Sequence, residues 1–264
     1  MSDLVIQSQV ASVCKLSLNR PAALNSFNQD LHQALLAALN QVAADPTIRC
    51  VILTGQGRAF SAGQDLNDPQ IRRQADGSDA DLGAIIKNAY HPLVMRITSM
   101  PIPVIAAVNG VAAGAGASIA LACDIVLAAR SAVFIQAFNK IGLLPDSGGT
   151  WLLPRLVGRA RALGLTWFGD KITAQQAEQW GLIWQMVEDT ALLDIASEIG
   201  QRLAAMPLKA LVATRFAMDK AQYLDLDTAI LEEAEWQREL GQASDYREGV
   251  QAFMEKRAPV FSDR

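Results

Sequence analysis

The stretch 109–151 constrains the fold of this chain more than any other. It follows an apolar, strand-like run, 104–108, and opens on a turn rich in small residues, with Gly110, Gly114 and Gly116. A helix-compatible run, 117–123, comes next. A buried strand that passes through such a turn into a helix is a unit of α/β architecture. Where side chains are this small a ligand can reach the main chain, and the unpaired N–H groups of a helix start can hold negative charge. Further on, a single carboxylate, Asp146, stands between Pro145 and the pair Gly148-Gly149. An anion-holding turn and an isolated acid in one segment suit chemistry that passes through an enolate.

The flanking sequence extends the same pattern. Segments 5–9 and 11–18 read as a β-hairpin that ends at Asn19-Arg20-Pro21, because proline cannot donate to a strand ladder. Asn25 or Asn28 can cap a helix over 29–44, where Leu31, Leu35, Leu36, Leu39 and Val42 recur at helical spacing. A short buried strand is predicted at 50–55, and a loop of small residues at 57–66. The polar stretch 67–82, without a clear period, reads as a surface loop or lid. Helix is predicted at 82–100 and strands at 104–108, 125–128 and 133–135. After Trp151 the pattern is mainly helical: 160–168, a capped helix over 173–181, a short strand at 182–187, then helices at 192–205, 209–220, 226–240 and 246–256. This gives a core over residues 1–200 and a helical region over 201–264.

Composition narrows the classes. Half the 264 residues are hydrophobic and 19% are charged, enough apolar material for a sizeable core. The 23 basic residues against 27 acidic ones give a net charge of −4, which argues against general nucleic-acid binding. Cys14, Cys50 and Cys123 lie far apart in apolar contexts without metal-ligand spacing, so they read as reduced core thiols and no metal is expected. No leader-like or membrane-length segment is evident. The expectation is a soluble, cytoplasmic α/β protein.

Several motifs in one order carry a more specific signal. Asn19-Arg20-Pro21 with Leu24-Asn25, the run Phe60-Ser61-Ala62-Gly63-Gln64-Asp65-Leu66, Asn109-Gly110 with Gly114-Ala115-Gly116, Cys123-Asp124, and Gly142-Leu143-Leu144-Pro145-Asp146 followed by Gly148-Gly149-Thr150 resemble the enoyl-CoA hydratase/isomerase (crotonase) superfamily in order and spacing. The resemblance extends to Tyr246-Arg247-Glu248-Gly249 and Lys256-Arg257, almost the whole chain. It implies a ββα spiral core, a helical C-terminal trimerisation region, trimers or hexamers built as dimers of trimers, and a coenzyme A thioester as substrate, with no separate cofactor.

The same resemblance assigns roles. The main-chain amides of Gln64 and Ala115 are expected to hold the thioester oxygen, and Ala23, Ala62, Gln64, Asp65, Leu66 and Ala115 to line the coenzyme A site. The hydratases of the family carry two glutamates that activate water; the matching positions here are Ser118 and Phe138, neither of which can act as a base. Asp146 is then the expected acid/base, moving a proton between α- and γ-type carbons, with Phe138 forming an apolar wall for a ring. The segments 137–155, 63–68 and 180–185 are most similar to the ring-1,2-epoxyphenylacetyl-CoA isomerases, which are similar in turn to enzymes that shift a 3-enoyl double bond to the 2 position.

Alternatives remain at this stage. Asp146 can instead cap a helix starting near Gly148. A dehalogenase of aryl thioesters would use Asp146 as nucleophile and His91 to activate water, and a hydratase or a non-catalytic acyl-CoA- or RNA-binding scaffold can share the frame. His32 is expected on the solvated side of its helix. Arg58 or the Lys256-Arg257 pair is expected near the phosphates, since Ala22 and Ala23 stand where relatives often carry a basic residue.

Overall fold

The computed structural model describes residues 3–72 and 77–264. The chain opens with a hairpin, β1 (Val5–Val10) and β2 (Val13–Leu18), paired antiparallel across a turn in which Ala11 takes a left-handed φ of 51°. Helix α1 (Gln29–Ala44) follows, capped by the Asn28 side chain, which accepts from the Leu31 amide. Then come β3 (Cys50–Gly55), β4 (Ala59–Ser61), α2 (Leu82–Ile85), a π-helical segment Ile86–Tyr90 and α3 (His91–Thr98). The next unit is β5 (Val104–Val108), β6 (Val111–Ala113) and α4 (Ala115–Leu121); the one after it is β7 (Ile125–Ala129), β8 (Val133–Ile135) and α5 (Gly149–Phe168). The remainder comprises β9 (Lys171–Thr173), α6 (Ala174–Gln179), β10 (Gln185–Val187), α7 (Leu192–Ala204), α8 (Leu208–Ala221), α9 (Leu226–Leu240) and α10 (Ser244–Glu255).

Among the described residues the strands form two sheets, ordered β1-β2-β3-β5-β7-β10 and β4-β6-β8-β9. Successive units lay one strand in each sheet and then a helix, a repeating ββα path. Strands β3 and β5 are buried along their whole length, which explains why they read as unbroken apolar runs rather than alternations.

The helical end is tied to this core by arginines. Arg215 of α8 grips Asp124 through Nε and Nη2, both at 2.6 Å, and donates to the Met100 and Ile102 carbonyls. Arg49 donates to the carbonyls of Ala204 and Met206, and the Arg264 guanidinium reaches Val42 and Ala43. Helix α9, by contrast, has no buried residue.

Three expectations need correction. Helix α5 begins eleven residues earlier than the predicted 160–168; it carries Pro154 inside and breaks at Gly158, whose φ of 74° and ψ of 160° suit only glycine. The predicted helix 82–100 contains a π turn. His32 is not solvated: it is 5% exposed, packed edge-on against Tyr90 and beside Phe27. Of the expected lid, residues 73–76 lie outside the described residues; its first part is held by Asp68, whose carboxylate accepts from the Gln29 and Gln70 amides.

Candidate active site

The loop carrying Gln64 is fixed from one side by Phe27. The Phe27 amide donates to the Gly63 carbonyl at 2.7 Å, and the Asp65 amide donates to the Phe27 carbonyl at 2.8 Å. Such a parallel bridge turns the N–H of the intervening residue, Gln64, away from Phe27. On that other side lies the turn into α4. Glycine at 63, with φ +89°, lets the two segments meet: a Cβ there would stand 2.7 Å from the Ala113 carbonyl oxygen and 3.3 Å from the Ala115 nitrogen. The turn itself depends on Gly114, whose φ of 52° and ψ of −128° open helix α4. Among the described residues, neither the Gln64 nor the Ala115 amide has a hydrogen-bond partner. Two unpaired donors thus meet at the start of a buried helix, an arrangement suited to an oxyanion.

Asp146 enters from the loop before α5. Ser147 (φ 52°) and Gly148 (φ 86°) are both left-handed, and this bend lets the Asp146 carbonyl, rather than its side chain, accept the Gly149 amide at 2.8 Å. No side chain caps α5, so Asp146 is not spent as a helix cap. Its half-buried carboxylate accepts the Ser147 hydroxyl at 2.9 Å. Burial pushes its pKa above the ordinary aspartate value, and the Ser147 hydrogen bond opposes this only in part.

Ser118 and Phe138 help to shape this site. Ser118 is fully buried, and its Oγ stands 2.9 Å from where a Cβ at Gly149 would be. Glycine at 149 is thus what lets the start of α5 pack against Ser118. Phe138, 7% exposed, lays its ring edge 3.6 Å from the Cβ position of Gly114, next to the Ala115 donor.

The structure adds a residue that sequence reasoning missed. Tyr90, 1% exposed, donates its hydroxyl to Gln64 Oε1 at 2.7 Å. Burial first, and then the carboxylates of Asp146 and Asp68, hold its pKa well above that of an ordinary phenol. The available signal was its place among Ile86, Leu93 and Ile97 on one helical stripe, where a buried tyrosine oxygen needs a partner.

The expected coenzyme A residues sit along one edge. The Ala62 amide donates to the Leu24 carbonyl, one residue beyond Ala23. Asp65 pairs with Arg20 at 2.9 Å and accepts the Asn67 amide; burial raises its pKa, but these bonds together hold it below the usual value. Leu66 is 62% exposed. Arg58 is exposed, whereas Arg257 is engaged by Glu248 and Glu255 within its own chain. His91 is exposed and makes no hydrogen bond or ion pair with Asp146.

A model of the enoyl-CoA hydratase/isomerase family matches residues 8–264. The chain belongs to the enoyl-CoA hydratase/isomerase family. Over its full length, and that of the relative, it is 50% identical to the 1,2-epoxyphenylacetyl-CoA isomerase of Escherichia coli strain K12. It is 46% identical to a probable enoyl-CoA hydratase of Rhodobacter capsulatus, covering 94% of each chain. Among solved structures, an enoyl-CoA hydratase from Bacillus anthracis superposes with a TM-score of 0.91 at 32% identity, covering 99% of this chain and 100% of that one. The ββα path with its helical C-terminal region is therefore the fold of this family. Three buried cysteines without a bridge, and no His/Cys/Asp/Glu cluster of metal-binding size, are found among the described residues. No helix there is long and apolar enough to cross a membrane.

Proposed function

We propose that this chain is an acyl-CoA isomerase that works through an enolate, with the 1,2-epoxyphenylacetyl thioester as its substrate and the 3-enoyl to 2-enoyl shift as a related activity. The observation that carries the reading is a single carboxylate, raised in pKa and free of any capping duty, in a site whose two glutamate positions hold Ser118 and Phe138. The 50% identity to an enzyme named for the epoxide substrate supports the choice of acyl group.

In this mechanism the ionised Asp146 takes a proton from a carbon in conjugation with the thioester. The electron pair moves onto the thioester oxygen, where the Gln64 and Ala115 amides receive it. Such a donor is worth about 3 kcal/mol, on the order of a hundredfold in rate. The protonated Asp146 then returns the proton to the other end of the conjugated system. With the epoxide, the bond between the two epoxide carbons also opens, its electron pair entering the ring π-system as the seven-membered oxepin ring forms, so that atoms balance and nothing is gained or lost. A raised pKa favours both halves, because the group must release the proton it has just taken. With Ser118 and Phe138 at the positions where the family's hydratases are expected to carry glutamates, and no second carboxylate beside Asp146 among the described residues, the hydratase outcome is disfavoured. With His91 exposed, so is hydrolytic dehalogenation. Ala23, Ala62, Asp65 and Leu66 would line the adenine side of coenzyme A, and Arg58 would meet its phosphates.

We further infer assembly into trimers, alone or paired as hexamers. The support is the unpartnered apolar surface of the last helices: Leu226 is 77% exposed, Phe253 85% and Met254 77%. Sedimentation should give a mass of three or six chains, and a monomer at micromolar concentration would contradict the assembly.

Mass spectrometry of products from a panel of thioesters tests the activity. The panel holds the epoxyphenylacetyl, a 3-enoyl, a 2-enoyl and a 4-chlorobenzoyl thioester. The expected result is isomerisation of the first two at unchanged mass. A product heavier by one water, or one that has exchanged chlorine for hydroxyl, would overturn the isomerase reading.

A further inference from the structure

The Gln64 amide is aimed by the peptide plane it shares with Gly63. That plane carries the Gly63 carbonyl at one end and the Gln64 N–H at the other. Its carbonyl accepts the Phe27 amide at 2.7 Å, and the peptide planes on either side are held by the Gly63 amide donating to Ser61 Oγ at 3.2 Å and the Asp65 amide donating to the Phe27 carbonyl at 2.8 Å. Gly63, at φ +89° and without a side chain, adds no packing contact of its own to fix the shared plane. The Gln64 side chain adds a further hold on the orientation of that plane. Its Nε2 makes only a long contact, 3.5 Å, with the Asp65 carbonyl, whereas its Oε1 accepts the Tyr90 hydroxyl at 2.7 Å.

Tyr90 is built to be immobile. It ends the π-helical turn Ile86–Tyr90, closed by the His91 amide donating to the Ile86 carbonyl, and π turns within helices recur at functional sites. Its ring packs edge-on against His32, with centroids 4.2 Å apart, and lies 6.2 Å from the ring of Phe27. Phe27 and His32 are themselves 4.9 Å apart. Phe27 therefore braces the Gln64 loop twice, through its backbone and through the ring cluster behind Tyr90.

We propose that Tyr90 is a positioning residue for the isomerisation, gripping the Gln64 side chain so that the Gln64 main-chain amide points at the developing oxyanion. It touches no reacting atom; it acts through Gln64. The inference rests on the proposed role of the Gln64 amide.

The test uses Tyr90→Phe, which deletes the hydroxyl alone, Gln64→Met, which keeps the side-chain length but removes the acceptor, and the double variant. With a thioester that the wild-type enzyme isomerises, each single variant should lower kcat about tenfold, as expected for partial loss of one oxyanion donor, with KM within twofold of wild type. The double variant should be no slower than the slower single one, because both break the same contact. Gln64 lies on a partly exposed loop, so Gln64→Met keeps the test decisive if Tyr90→Phe folds poorly. Wild-type kcat in Gln64→Met, single effects that multiply in the double variant, or a rise in KM at constant kcat would overturn the inference. Wild-type enzyme inert towards every thioester of the panel would instead remove the reading on which it rests.

Discussion

Replacing Gly63 by alanine should separate the close approach of the two donor loops from the rest of the fold. An alanine at φ +89° is strained by about 1–2 kcal/mol in itself. Its Cβ would also stand 2.7 Å from the Ala113 carbonyl oxygen and 3.3 Å from the Ala115 nitrogen. Both neighbours are backbone, so neither can rotate aside, and the gap must open by about 0.7 Å to reach ordinary contact. An oxyanion donor works at about 2.7–3.1 Å, so this displacement takes one amide out of range. The expected loss is up to about 3 kcal/mol of transition-state stabilisation, on the order of a hundredfold in kcat. Steady-state kinetics on an isomerised thioester, with a direct Kd for the coenzyme A portion, measures it. Gly158→Ala is the control: it suffers comparable backbone strain at φ +74°, with no atom within 4 Å of the new Cβ, and should lose stability while keeping kcat. A folded Gly63→Ala enzyme with kcat within twofold of wild type would refute the reasoning.

Two further outcomes concern stability. Burial lowers the His32 pKa from 6.5 to about 4, with Asp68 opposing the shift. The unfolded chain therefore binds a proton that the folded one refuses, and stability present above pH 6.5 is lost as the pH falls towards 4. Between pH 7 and pH 5 this amounts to about 2 kcal/mol; urea denaturation of wild type against His32→Leu should show the loss shrinking by that amount, and equal pH slopes would contradict the buried neutral imidazole. Arg215→Met should leave the Asp124 carboxylate without either of its guanidinium bonds and cost about 3 kcal/mol. Adding Asp124→Asn should recover part of that loss, and an unshifted unfolding midpoint in Arg215→Met would show that the pair does not hold α8 to the core.

Much of the frame was legible because its signals are local. Strand β3 was placed residue for residue by an apolar run ending in glycine, helix α9 by its spacing, and the caps at Asn28 and Thr173 by side-chain chemistry that acts within one turn. The errors lie where distant parts of the chain decide. His32 is one turn from polar neighbours on α1, yet it is covered by Tyr90, whose orientation is set by a π turn that a 3.6-residue period does not reveal. The first half of α5 was hidden by Pro154 and by the glycines at its start, which punctuate a sequence even where packing sustains a helix. At the site, Asp146 and the small-residue turns were visible as residue types. The grip of Tyr90 on Gln64 was not, since it joins segments 26 residues apart through one hydrogen bond.

The central claim is that Asp146 alone moves the proton while the Gln64 and Ala115 amides hold the charge. Exchange of acyl protons into heavy water, followed by mass spectrometry on wild type and Asp146→Asn, measures that step directly, and titration with the same thioester gives its affinity. The account predicts rapid exchange in the wild type and at least a thousandfold slower exchange in the variant, on the order of the upper general-base contribution, with affinity little changed. In the wild type the exchange rate should fall as acid protonates Asp146, at a pH above the ordinary aspartate range. Undiminished exchange in Asp146→Asn would contradict the account.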